Sequence, residues 1–271
     1  MNGTIIRLGK LFSKGNAVVV AIDHGEFDGP IPFLEDLPKT AAKISKDVDG
    51  ILLSPGMIER CADVFAGKGA PMPIIRLNWS TSYCFQWDYR EAETVTACTA
   101  RHAAALGAEA VVISLALNTG SERRDSENVR VFCELAEEAK GLGLPVIGEY
   151  FPAGPNRLSR EELHDQVKIG CRVIAELGSD GIKTFHTIHF EEVVGGCPVP
   201  ILGLGAEKLP TEMDALRLAR REIDDGAGGV VFGRNAVSWP DPARFQAALI
   251  DVVQGGKTPE EAVQTHDIPA E

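Results

Sequence analysis

No run of about 18 consecutive apolar residues occurs in this chain, so the sequence offers no segment suited to span a bilayer as a helix. Residues 1–10 lack the continuous apolar stretch of a secretory leader. None of the six cysteines (Cys61, Cys84, Cys98, Cys133, Cys171 and Cys197) stands in Cys-x-x-Cys spacing. That argues against a dithiol or zinc-ribbon motif, and several of the six fall on the apolar phase of helical stretches, as reduced packing residues do. Basic residues are also scarce: 27 Lys and Arg face 39 Asp and Glu, for a formal net charge of −12 and a pI near 5.0. A nucleic-acid or anionic-membrane surface needs clustered cations, so both partners are excluded, and an anionic ligand would have to be caught by a local site. No linker or low-complexity tract interrupts residues 1–271, which read as a single domain. A soluble, cytoplasmic protein is the expectation.

What the chain does contain is repetition. Apolar, β-branched runs recur at 17–23, 50–54, 73–78, 110–117, 145–150, 181–185, 199–203 and 229–233, each followed by a candidate helix. The runs lack strict polar alternation, as parallel strands covered on both faces do. Ser159 with Glu162 and Thr258 with Glu261 form capping boxes, and Asp241-Pro242 reads as an N-cap with proline at the first helical position. Helices over 127–140, 160–177 and 211–225 would form an outer ring, and one over 4–12 would cap the barrel bottom. With 271 residues and 28 glycines, the predicted fold is α/β: a single (βα)8 TIM barrel.

Such barrels place chemistry at the C-terminal ends of their strands. Lys183, on the sixth predicted strand, is therefore the leading candidate: burial disfavours the ammonium and promotes the free amine that attacks carbonyls. Asp23, closing the first strand, could stabilise an iminium and shuttle protons, or could simply cap the loop that follows. His24 should point away by alternation. Glu149 and Tyr150 end the fifth strand, and period-two alternation lets only one of them face inward. Loops around Gly203, Gly205 and Ala206, and around Gly233 and Arg234, follow strands seven and eight, where barrels often bind phosphate through backbone N–H groups. His186 and His189 lack an evident third ligand, so no metal is expected. Arg123-Arg124 and Arg220-Arg221 read as solvated charge.

Residues Ala21-Ile-Asp-His-Gly25 with Gly29-Pro30, Ile182-Lys-Thr-Phe185, Cys197-Pro-Val-Pro-Ile201 with Lys208-Leu-Pro210, and Gly233-Arg-Asn235 together resemble the DeoC/LacD-type class I aldolases. Within these the chain is most similar to the archaeal-type fructose-bisphosphate aldolase branch and the related autoinducer-2 phosphate thiolases, over residues 11–263. The resemblance implies a Schiff base on Lys183 with Asp23 beside it, and phosphate capture around Gly205, Ala206, Gly233 and Arg234. It implies no cofactor, a small phosphorylated carbonyl substrate and a homo-oligomer. Bisphosphate aldolases of the branch carry a tryptophan and a tyrosine before Pro-Arg-Gly. Matching that proline to Pro152 puts Glu149 and Phe151 in the two positions, so Glu149 becomes the preferred proton shuttle. Ala206 and Glu207 replace a glycine and a lysine of the usual phosphate loop, which points to a monophosphorylated substrate. The rival expectations are a coenzyme A-dependent thiolase acting on a phosphorylated diketone, and a non-catalytic sugar-phosphate-binding barrel.

Overall fold

The computed structural model describes residues 2–87, 89 and 91–269. Its apolar runs close into a barrel of eight parallel strands: Ala17–Ala21, Gly50–Leu53, Met72–Arg76, Ala110–Leu115, Val146–Tyr150, Gly181–Phe185, Ile201–Leu204 and Gly229–Phe232. The last strand pairs back onto the first, Ala17 opposite Gly229. All eight predicted strands are present, with bounds that differ from the predicted ones by at most two residues. Parallel neighbours require crossover connections, and the long ones are helices Glu122–Gly141, Arg160–Glu176 and Glu212–Asp224, packed outside the barrel. The capping boxes at Ser159 and Thr258 are both formed, and the Asp241 side chain accepts from the Arg244 N–H.

Alternation sorts each strand into two rows. One row, including Val18, Val20, Ile51, Val111 and Ile113, packs outward against helix residues such as Phe132 and Leu249. The other, including Val19, Ala21, Ile74, Val112, Ile147, Leu202 and Val231, fills the barrel interior. The N-terminal helix, Asn2–Leu11, closes the lower end: Leu11 joins the interior cluster, and the Arg7 guanidinium donates to the Gly143 carbonyl. One element was not predicted. After the third strand the chain forms an antiparallel ribbon, Asn78–Ser80 with Thr94–Thr96, linked through a 3-10 turn over Thr81–Tyr83. Asn78 fastens this ribbon to the barrel, donating to the Ser114 carbonyl and accepting from its N–H. No helix among the described residues is long and apolar enough to cross a membrane.

Candidate active site

The inward rows of the barrel change character at its upper end. Continued by two residues each, Ala21 leads to Asp23, Ile74 to Arg76, Ile147 to Glu149 and Gly181 to Lys183. Four charged side chains are thereby brought into one layer above an apolar floor. Strand register sets Glu149 directly beside Lys183. The Lys183 Nζ lies 2.5 Å from Glu149 Oε1, and the other carboxylate oxygen accepts from Arg76 Nη2 at 2.5 Å. Arg76 Nε donates to Asp23 Oδ2 at 2.7 Å. A single guanidinium therefore joins the two carboxylates that flank the lysine. Arg76 and Glu149 are each 1% exposed, which makes the network an ion-pair array out of water.

Burial alone would raise both carboxylates. At Asp23 it is outweighed by the charges of Arg76, Lys183 and His24, which hold the acid down at about 2. Burial is likewise outweighed at Glu149, chiefly by Arg76 and then Lys183, and the group ionises below its ordinary range. His24 is pushed down to about 4 by burial, against the opposing pull of Asp23. Its imidazole is therefore neutral at physiological pH.

Above this layer opens a cavity of about 530 Å³ lined by Asp23, His24, Arg76, Glu149 and Lys183 below, and by Gly205, Ala206, Lys208, Gly233, Arg234 and Ser238 along one side. The side facing the ribbon is aromatic: Phe27 and Tyr83 have ring centres 4.7 Å apart, Tyr83 and Phe151 4.3 Å, and Phe151 and Phe185 4.9 Å. The loop after strand seven is held open by Asn235, whose amide donates to the Gly205 and Glu207 carbonyls at 2.6 and 2.8 Å. Ala206 has a positive φ of 50°, and its carbonyl accepts from Arg234. Lys208 reaches over the Trp239 ring, 4.3 Å from its centre, at the cavity mouth.

Three expectations are corrected. Tyr150 does not reach the cavity: alternation turns it outward, where its ring packs on Gly170 in the barrel–helix layer. Gly203 shares that outward parity, and the absence of a side chain there makes room for the buried carboxylate of Glu222 on helix Glu212–Asp224. It belongs to the barrel wall and not to a phosphate loop. His24, placed outside the site by alternation, lines the cavity because the strand ends at Ala21 and the chain has already turned. His186 pairs with Asp225 at 2.7 Å, and no group of three His, Cys, Asp or Glu among the described residues is placed to hold a metal ion. Arg76 and Tyr83 were missed, and Lys208 was noted within the family motif without a role. The one available signal for Arg76 was an arginine inside the apolar run at 73–78. The outward position of Tyr150 predicts that Tyr150→Phe keeps turnover within about twofold of the parent, a steady-state comparison that a proton-shuttling Tyr150 would fail by a hundredfold or more.

Residues 17–238 match the family described as DeoC/LacD family aldolase. The chain belongs to this family. An uncharacterised aldolase of Saccharolobus solfataricus is 34% identical over 262 residues, covering 93% of this chain and 95% of its own. The 2-amino-3,7-dideoxy-D-threo-hept-6-ulosonate synthase 1 of Archaeoglobus fulgidus is 29% identical, covering 97% and 96%. The 3-hydroxy-5-phosphonooxypentane-2,4-dione thiolase of Escherichia coli is 27% identical, covering 96% and 85%. Among solved structures, a Schiff base-forming fructose-1,6-bisphosphate aldolase superposes with a TM-score of 0.78 at 27% identity, covering 93% of this chain and all of that one. This aldolase is an enzyme of the class I type, with the related thiolase on a neighbouring branch.

Proposed function

We propose that this aldolase makes or breaks a carbon–carbon bond in a phosphorylated ketose through a Schiff base on Lys183. The observation that carries the reading is the Lys183–Glu149 contact at 2.5 Å, on adjacent strands at the barrel mouth with Asp23 in the same buried layer. In the cleavage direction Glu149 takes the ammonium proton, and the free amine attacks the carbonyl carbon to form the carbinolamine. The proton returns to the departing hydroxyl, which leaves as water. The resulting iminium accepts the electron pair of the breaking bond and becomes an enamine. Asp23, ionised and next in the network, stabilises the iminium charge without having to give up a proton. Arg76 keeps both carboxylates oriented toward the lysine.

For the phosphate, the reading relies on backbone N–H groups around Gly205, Ala206 and Gly233 and on Arg234, whose guanidinium already contacts the loop. Glu207 beside that loop and a single arginine favour one phosphate over two. A homo-oligomer and a cytoplasmic setting belong to the same reading and are supported by the family resemblance. The test is borohydride reduction with fructose 1-phosphate or fructose 1,6-bisphosphate, followed by peptide mass analysis. A reduced adduct on Lys183, larger with the monophosphate, is expected; no lysine adduct with either ketose overturns the proposal. The thiolase reading, favoured by the likeness to the E. coli thiolase, predicts an acyl-coenzyme A product when coenzyme A is added.

A further inference from the structure

Glu149 has both carboxylate oxygens engaged on the lysine side of the cavity, one by Lys183 and one by Arg76. Aldol chemistry needs a second proton carrier, at the oxygen of the carbonyl fragment that departs or arrives. Among the described residues, four buried polar atoms of cavity-lining side chains lack a well-formed hydrogen bond: His24 Nδ1, Arg76 Nη1, Arg234 Nε and the Tyr83 hydroxyl. An unpaired buried polar group carries a desolvation cost that a bound substrate can relieve. The two guanidinium nitrogens do not release protons at working pH. His24 faces Gly233 and lies 3.9 Å from Asp23, on the phosphate-loop side. Tyr83 stands on the opposite wall, its ring held between Phe27 and Phe151 and the Arg76 guanidinium carbon 5.1 Å from its centre.

We propose that Tyr83 is a catalytic residue of this aldolase, carrying the proton of the oxygen on the carbonyl fragment. This rests on the Schiff-base reading above. In condensation, the enamine carbon forms the new bond to the carbonyl carbon. The carbonyl π pair takes the phenol proton, leaving an iminium on Lys183 and a phenolate beside Arg76. In cleavage the substrate hydroxyl passes its proton to the Tyr83 oxygen as the phenol proton passes to the neighbouring Glu149 carboxylate, the bond breaks, and its electron pair passes to the iminium. Burial and the charge of Glu149 raise the phenol well above its ordinary range, so the resting group is protonated, and the iminium and Arg76 offset the phenolate during turnover. The hydroxyl has Ser114 and Glu149 beside it but no well-formed hydrogen bond to either, so its removal leaves the fold intact.

The experiment compares the full chain with Tyr83→Phe and His24→Gln. Turnover of fructose 1-phosphate and fructose 1,6-bisphosphate is measured alongside borohydride trapping on Lys183, with thermal unfolding as the control. Tyr83→Phe should lose about a hundredfold or more in kcat while its trapped ketose adduct and melting temperature stay at the parent level. A packing role predicts parent-like kcat, and that result overturns the proposal. So does loss of trapping together with turnover, a matching loss confined to His24→Gln, or a parent that traps ketose without cleaving it. A parent that traps neither ketose instead overturns the Schiff-base reading on which the proposal stands.

Discussion

Replacing Lys183 with methionine should lower turnover by at least about 10⁴-fold and abolish the borohydride-trapped adduct, while the protein remains folded. The size of the loss follows from the chemistry: without an amine there is no iminium, and the electron pair of the breaking bond has no sink. Neighbouring groups cannot substitute. In the proposed mechanism Glu149, Asp23 and Arg76 move protons or hold charge, and Lys208 is drawn away over the Trp239 ring at the cavity mouth. Folding should survive because Lys183 is the peripheral member of the network. Both carboxylates keep their bonds to Arg76 when it is gone. Methionine has similar length and suits the apolar stem of the site. Retained adduct formation in Lys183→Met would move the Schiff base to another lysine.

Arg76→Leu is expected to show the reverse separation, with stability falling first. The substitution leaves Asp23 and Glu149 buried with only Lys183 as counter-charge. Breaking a buried pair in this way costs about 3–5 kcal/mol. In the parent, Asp23 ionises at about 2 against a reference value of 3.8. Its contribution is therefore fully present above about pH 4 and lost as pH falls through about 2, amounting to roughly 2 kcal/mol by linkage. In Arg76→Leu the sign inverts. The carboxylate left without a partner titrates above its unfolded value, the native state binds the extra proton, and stability falls as pH rises. Denaturant unfolding at pH 5 and pH 8 reads this directly: the deficit relative to the parent should be smaller at pH 5. A loss below about 1 kcal/mol, or a deficit that grows toward acid, would show that the guanidinium is not what holds the two carboxylates in place.

These two positions differ in how visible they are before folding. Lys183 stands out because a lysine inside an apolar run is rare, and its neighbours repeat a family pattern. Arg76 occupies an equally apolar run, yet nothing near it in the chain indicates that its partners are Asp23 and Glu149, 53 and 73 residues away. Tyr83 carried no signal at all. It lies in an unpredicted turn beyond the third strand, and its place in the cavity wall depends on how Asn78 fastens the ribbon to Ser114. Glu149 and Tyr150 illustrate a middle case. Alternation established that only one faces inward, and the register of the fifth strand against the sixth decides for Glu149.

By itself, the amino-acid sequence determined the eight-fold strand–helix alternation, the capped helices, the family and the lysine, because each is written in local periodicity or in a contiguous motif. The tertiary structure alone decided which groups meet that lysine. Barrel closure brings distant strands into one layer, and at 2.5–2.7 Å the charge, protonation and orientation of each side chain are set by neighbours remote in sequence.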